Sequence, residues 1–93
     1  MSQITLVGAE WCKPCEYLKA NIVAWAASVK CELPIEYQEY DSEKHCVDKL
    51  PTLIYTYDGL EKARVLGTDE TQIRVFLMNA VAYGEFLTYG YDD

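Results

Sequence analysis

The chain has 93 residues, 51% of them hydrophobic and 25% charged, as expected for a folded globular protein with a single domain over residues 1–93. Its net charge of −7 argues against binding to nucleic acid, which depends on neutralising phosphates, and no apolar run approaches the roughly 20 residues of a membrane span. Residues 1–3 lack the basic start of a signal peptide, so we expect a cytoplasmic protein, in the host cytoplasm if the source is a virus.

The first half of the chain predicts a strand, a helix and a second strand. Residues 4–7 form an apolar run that ends at Gly8, which indicates a buried strand. From Cys15 onward, apolar residues recur on one helical stripe and predict an amphipathic helix: Leu18, Ile22, Trp25 and Val29. A second strand is predicted over residues 35–40, and the polar residues 42–49 predict a loop with one helical turn.

The second half predicts a β-hairpin followed by a helix. Residues 52–57 and 62–66 are predicted strands, because Asp58-Gly59 between them is a strong hairpin signal. The last helix is predicted to begin near Thr68-Asp69, either of which can cap it, and to end at Gly84, with residues 83–93 as a C-terminal tail. A right-handed βαβ crossover and an antiparallel hairpin together predict an α/β fold with a four-stranded mixed sheet flanked by helices.

Cys12 and Cys15 form a C-x-x-C motif where the first strand ends and the first helix begins. Pro14 suits a first helical turn, in which a backbone N–H is not required. The unpaired N–H groups and the dipole at this helix end stabilise an anion, so we expect Cys12 to ionise readily, and the positive Lys13 acts in the same direction. Cys15, one turn into the helix, is able to close a disulfide with Cys12. This arrangement suits dithiol–disulfide exchange.

Two segments resemble motifs of the thioredoxin family. Residues 9–15, A-E-W-C-K-P-C, are similar to the A-E-W-C-G-P-C of thioredoxins, with Lys13 in place of a glycine. Residues 50–53, L-P-T-L, resemble the family's I/V-P-T-L, in which the proline is cis and faces the two cysteines. The resemblance extends over nearly the whole chain, and it implies the thioredoxin-like fold with a minimal βαβ–ββα core.

The resemblance also implies a thiol–disulfide oxidoreductase that reduces protein disulfides, including that of ribonucleotide reductase. Cys12 would be the nucleophile and Cys15 the resolving thiol, with the redox-active Cys12–Cys15 disulfide as the redox centre and no bound cofactor or metal. A monomer is expected, with thioredoxin reductase favoured over glutathione as electron donor. The expected substrate-binding residues surround the cysteines and the cis proline: Trp11, Lys13, Pro14, Leu50, Pro51, Gly67 and Thr68.

The chain departs from thioredoxins in two respects. It starts directly at the strand before the C-x-x-C, as glutaredoxins do, and residues 67–69 partly match the glutathione-binding pattern of that family, so a glutathione-dependent glutaredoxin is an alternative. Leu6 stands where the family has a buried aspartate implicated in proton transfer at the second cysteine, so that relay is absent or supplied by another group. An alternative of another class is a non-catalytic thioredoxin-fold interaction module.

Three further residues carry chemistry outside these motifs. Cys31 is predicted to be a small core residue, and Cys46 an inert loop cysteine, with a regulatory thiol as the alternative. His45 is predicted to be a solvent-facing loop residue, and none of the three has the spacing of a metal ligand. The Tyr-rich tail is expected to pack on the core or to fray, with partner docking as the alternative.

Overall fold

Four strands and two helices make up the computed structural model, which describes residues 1–89 of the chain and the side-chain surroundings of residues 1–85. In chain order these elements are β1 (Ser2–Gly8), α1 (Lys13–Ser28), β2 (Ile35–Glu39), β3 (Thr52–Tyr57), β4 (Leu60–Leu66) and α2 (Glu70–Tyr89). Neither of these helices is long and apolar enough to cross a membrane.

The strands form one mixed sheet in the order β2-β1-β3-β4, which confirms the predicted four-stranded mixed sheet. β1 pairs in parallel with β2 and antiparallel with β3, and β3 pairs antiparallel with β4. The β1–β2 register sets Leu6 beside Tyr37 and Gly8 beside Glu39. Because residues that pair laterally share a face of the sheet, all four of these residues face the same side.

Both helices pack against one face of the sheet. The predicted stripe of α1 is buried there through Leu18, Ile22 and Trp25, and α2 contributes an equivalent stripe at the spacing of an amphipathic helix. The helices share one hydrophobic cluster with the inward side chains of the central strands. The main members of this cluster, apart from the stripe of α1, are Ile4, Leu6, Leu53, Tyr55, Ile73 and Leu77. The two helices and the sheet therefore share one hydrophobic core.

The turns follow the sequence signals closely. Asp58 and Gly59 both have positive φ values, 53° and 83°, as a two-residue type I′ hairpin turn requires, and β4 begins at Leu60, two residues earlier than predicted. In the loop after β2, the N–H of His45 donates to the carbonyl of Asp41 at 2.7 Å. That bond closes the single helical turn predicted for this loop.

The predicted end of the last helix at Gly84 is wrong, because α2 continues to Tyr89. A Cβ at Gly84 would lie 2.8 Å from Ser2 Oγ and 3.3 Å from the Tyr55 hydroxyl oxygen. The glycine therefore permits close packing of α2 on the sheet rather than ending the helix, at a cost of about 1 kcal/mol in helix propensity. Residues 83–89 of the predicted tail belong to α2, and residues 90–93 lie outside the described part of the chain.

Candidate active site

Cys12 occupies the N-cap of α1, after the short loop that leaves the central strand β1. Its backbone is extended, with φ −99° and ψ 107°, and its carbonyl accepts hydrogen bonds from the N–H groups of Cys15 and Glu16 at 3.1 and 3.2 Å. Its Sγ also accepts from the Cys15 N–H, at 3.2 Å. The sulfur thus lies at the positive end of the helix dipole, where a thiolate is stabilised.

Cys12 and Cys15 are joined by a disulfide, with their Cα atoms 5.2 Å apart. This separation lies within the usual range for a disulfide. Cys12 is 7% exposed and Cys15 only 2%, so the second cysteine is the more deeply buried of the two. A group that approaches from solvent therefore meets Cys12 before Cys15.

The surroundings of the disulfide are apolar on the side of the loop that precedes β3. Leu50, half-buried, packs against a small cluster formed by Ala9, Cys12 and Cys15. Trp11 comes immediately before Cys12 and is 76% exposed, while Lys13 and Pro14 are exposed in the first turn of α1. Of the predicted substrate-binding residues, Leu50 thus contacts the cysteine cluster, and Trp11, Lys13 and Pro14 are exposed within two residues of Cys12 in the sequence.

The remaining predicted binding residues lie next to Leu50. The Leu50–Pro51 peptide bond is cis, as the resemblance implied, and the Pro51 side chain is fully buried. The Pro51 carbonyl accepts a hydrogen bond from the Gly67 N–H at 2.9 Å, which ties this loop to the end of β4. Thr68 follows Gly67 and is half-buried.

Asp69 is the cap of α2. Its side-chain Oδ1 accepts from the N–H of Gln72 at 2.9 Å, and its carbonyl accepts from the N–H of Ile73 at 3.0 Å. Of the two predicted caps, Asp69 rather than Thr68 therefore fills this role. A first-turn N–H of α2 is already satisfied by a carboxylate, and Glu70 adds a second negative charge at the same helix end.

A polar cavity beside Cys15 was not predicted from the sequence. It has a volume of about 190 Å³, and apart from Ala9 it is lined by Cys15, Glu10, Glu16, Lys19, Tyr37 and Glu39. Gly8 lies close to two of the lining residues: a Cβ there would be 3.3 Å from Cys15 Sγ and 3.1 Å from Cε2 of Tyr37. The cavity thus places charged side chains next to Cys15.

Hydrogen bonds fix the carboxylate of Glu39 at this cavity. Its Oε1 accepts from the Tyr37 hydroxyl at 2.9 Å, and its Oε2 accepts from the backbone N–H of Glu10 at 3.0 Å. Lys19 Nζ lies 4.2 Å from the centroid of the Tyr37 ring. Burial, the hydrogen bond to Glu39 and the negative charges of Glu39 and Glu10 raise the pKa of Tyr37 to about 12, so its hydroxyl remains a donor at neutral pH.

Cys31, Cys46 and His45 lie outside this site. Cys31 is buried in the core as predicted, and Cys46 is exposed, with both thiols free. His45 is half-buried rather than solvent-facing, because its Nδ1 accepts from the Asp41 N–H at 2.9 Å and its Nε2 lies 2.9 Å from Gln38 Oε1. Within the described residues, no group of three or more His, Cys, Asp or Glu side chains is arranged to hold a metal ion.

The sequence and the structure are similar to thioredoxins. The chain is 33% identical over 75 residues to the thioredoxin of Chlamydia pneumoniae, which covers 76% of this chain and 74% of that protein. It is 33% identical over 70 residues to a thioredoxin of Echinococcus granulosus, or 71% of this chain and 65% of that one. The structure of Fasciola hepatica thioredoxin superposes with a TM-score of 0.72 at 25% identity, over 85% of this chain and 80% of that chain.

A second solved structure, that of Plasmodium falciparum thioredoxin, shares the fold at a TM-score of 0.70 and 18% identity, over 84% of this chain and 80% of that one. No protein-family profile matches the chain. A disulfide at a helix N-terminus on this fold defines a thiol–disulfide oxidoreductase. The chain belongs to the thioredoxin family, and the glutaredoxin alternative is not favoured.

Proposed function

We propose that this protein reduces disulfides in other proteins, with Cys12 as the attacking thiol and Cys15 as the resolving thiol. The observation that carries the proposal is the position of Cys12 Sγ, at the N-cap of α1 and nearer to solvent than Cys15. A thiolate is the nucleophile in disulfide exchange, and a helix N-terminus lowers the pKa of a thiol. The exposed Lys13 adds a positive charge one residue away.

The reaction runs in two exchanges. The Cys12 thiolate attacks one sulfur of the substrate disulfide, the substrate S–S bond breaks, and the other substrate sulfur leaves as a thiolate. The Cys15 thiolate then attacks Cys12 Sγ, and the second substrate sulfur leaves with the electron pair of the mixed disulfide. Two electrons pass to the substrate, and the Cys12–Cys15 disulfide forms again.

Substrate docking is proposed at Trp11, Lys13, Pro14, Leu50, Pro51, Gly67 and Thr68. The exposed ring of Trp11 and the side chain of Leu50 offer apolar surface beside the sulfurs. An extended substrate segment would pair with the backbone at Leu50, a short β-strand addition that does not depend on one substrate sequence. Such a surface suits proteins that end a catalytic cycle oxidised, with ribonucleotide reductase as one example.

The proposal includes the setting in which the protein works. It acts as a monomer with one domain over residues 1–93, in the cytoplasm, where a reducing environment makes a C-x-x-C catalytic rather than structural. Its electrons come from NADPH through a thioredoxin reductase, which would recognise the protein surface around Cys12. No bound cofactor is required, because the electron pair resides in the dithiol itself.

Single cysteine variants test the two roles. Cys12→Ser is expected to abolish the reduction of insulin by dithiothreitol, because it removes the nucleophile, whereas Cys15→Ser is expected to accumulate a covalent mixed disulfide that a thiol reagent releases. Turbidity of precipitating insulin chains measures the first effect, and intact-mass analysis under non-reducing conditions measures the second. Cys46→Ser, which changes an exposed cysteine outside the site, is the matched control. Trapping by Cys12→Ser instead of Cys15→Ser would reverse the assignment.

A further inference from the structure

Cys15 needs a route for its proton, because it is 2% exposed. In the reaction proposed above, its thiol must lose a proton before it attacks Cys12, and it must gain one when the disulfide is reduced. Leu6, at the position of the family's buried aspartate, is 2% exposed and has no group that can accept a proton. The proton must therefore travel by other groups.

The cavity beside Cys15 is large and polar enough to hold water, which is able to carry a proton. Its volume of about 190 Å³ far exceeds the roughly 10–15 Å³ that a cavity needs to hold one water, and its carboxylates and hydroxyl supply polar partners for water. Gly8 keeps the space between Cys15 Sγ and the Tyr37 ring open, since a Cβ there would lie 3.1 to 3.3 Å from both residues. Cys15 thus lines a polar cavity even though its own surface is almost fully buried.

The charges around Cys15 are arranged asymmetrically. Glu39, an exposed residue of β2, accepts two hydrogen bonds at the cavity through its carboxylate. Glu10 and Glu16 add negative charge from the loop before α1 and from its first turn, while Lys19 of α1 is the positive side chain in the lining. The uncharged Leu50 packs against the cluster that Cys15 forms with Ala9 and Cys12. A surplus of negative charge disfavours a thiolate.

We propose that Cys15 exchanges its proton with solvent through this cavity. The negative charge of the Glu39 carboxylate favours the protonated thiol of Cys15 over the thiolate in the mixed disulfide. The inference rests on the proposed resolving role of Cys15. The thiol gives its proton to water in the cavity, the resulting thiolate attacks Cys12 Sγ, and the partner sulfur departs with the electron pair. Glu39 acts through its charge and is a positioning residue, with Lys19 opposing it.

The experiment isolates the resolving step by stopped flow. Reduced protein is mixed with the aromatic disulfide DTNB, and release of the coloured thiolate is followed at each pH. Attack by Cys12 gives a first phase whose rate depends on the DTNB concentration, and attack by Cys15 gives a second, concentration-independent phase. The midpoint of the second-phase rate against pH reports the pKa of Cys15 in the mixed disulfide.

Two variants test the inference, one that removes a negative charge from the cavity and one that removes a positive charge. Glu39→Gln removes a negative charge, so the midpoint is expected to fall by about half a pH unit or more, while Lys19→Met is expected to raise it by a similar amount. Glu36→Gln is the matched control, because Glu36 lies on the same strand but pairs with Thr5 on the opposite face of the sheet. Circular dichroism confirms that each variant is folded.

The outcomes separate this inference from the proposed function. Opposite shifts for Glu39→Gln and Lys19→Met with an unchanged Glu36→Gln support the inference. Unchanged midpoints, shifts of the same sign, or an equal shift in Glu36→Gln overturn it while leaving the cysteine roles intact. A second phase that persists in Cys15→Ser would instead contradict the proposed resolving role of Cys15.

Discussion

At the scale of single residues, Gly84 shows how one hydrogen atom in place of a side chain sets the fit of a helix. Ser2 Oγ and the Tyr55 hydroxyl lie 3.0 Å apart, within hydrogen-bond distance, directly beneath Gly84. Tyr55 is 1% exposed, so its hydroxyl depends on this partner, and the ring of Tyr83 packs edge-on against it with centroids 6.0 Å apart. A buried hydroxyl that loses its partner costs about 1–3 kcal/mol.

Replacing Gly84 by alanine tests this contact. The new Cβ is expected to displace the Ser2 hydroxyl, and the loss of its bond to Tyr55 outweighs the gain of about 1 kcal/mol in helix propensity, so the free energy of unfolding falls by about 1 kcal/mol. In a Ser2→Ala background the bond is already absent, so the same replacement is expected to be neutral or stabilising. Denaturant unfolding of the four proteins measures the coupling. Equal destabilisation in both backgrounds would show that Ser2 is not the group displaced.

At the scale of elements, the N-terminus of α2 depends on its cap, Asp69. Replacing it by alanine is expected to lower the free energy of unfolding by about 1 kcal/mol, because the Gln72 N–H loses its acceptor. Asn caps a helix about as well as Asp, so Asp69→Asn is the matched control and is expected to remain close to the parent protein. Thermal and denaturant unfolding measure both. A loss of similar size in the asparagine variant would assign the effect to the charge at the helix end instead of the cap.

The elements themselves could be predicted because their signals are local. Apolar periodicity located both helices, and Asp58-Gly59 located the hairpin, since a type I′ turn depends on those two residues alone. The role of Gly84 could not be predicted in this way, because this glycine lies inside α2 and is required by contact with β1 and β3 rather than by helix termination. Contacts distant in sequence override a local preference of about 1 kcal/mol.

Some residues of the candidate site could likewise be predicted from local sequence, and others could not. Cys12, Cys15 and Pro51 stand in motifs of a few consecutive residues, so the sequence was sufficient to single them out. The cavity at Cys15 could not be predicted, because Tyr37 and Glu39 reach it only when β2 pairs with β1 in the register that sets Gly8 beside Glu39. The alternation of Tyr37 and Glu39 along β2, next to a glycine at the end of β1, was the available signal.

At the scale of the whole molecule, charge bears on the choice of electron donor. Glutathione carries carboxylates, and it would approach a protein of net charge −7 whose α2 N-terminus already presents Asp69 and Glu70. A reductase that recognises the surface around Cys12 does not need that helix end. This distribution of charge supports the protein-sized donor proposed above.

Coupled enzyme assays on the oxidised protein test this preference. NADPH with a thioredoxin reductase is expected to reduce it rapidly, and glutathione with its reductase at least tenfold more slowly, because like charges oppose binding of the tripeptide. NADPH absorbance measures both rates, with the Cys12→Ser variant as the blank. Fast turnover with glutathione and none with the thioredoxin reductase would assign the donor to glutathione.

The placement of the two tryptophans gives the molecule separate optical reporters. Trp11 is 76% exposed and adjoins Cys12, whereas Trp25 is 6% exposed in the core between α1 and the sheet. Indole fluorescence from water-exposed rings lies at longer wavelength than that from apolar surroundings. Loss of emission at the blue edge is therefore expected to mark unfolding of the core, whereas a change at the red edge without that loss is expected to mark an event at the sulfurs, so the two are distinguishable in one spectrum without an added dye.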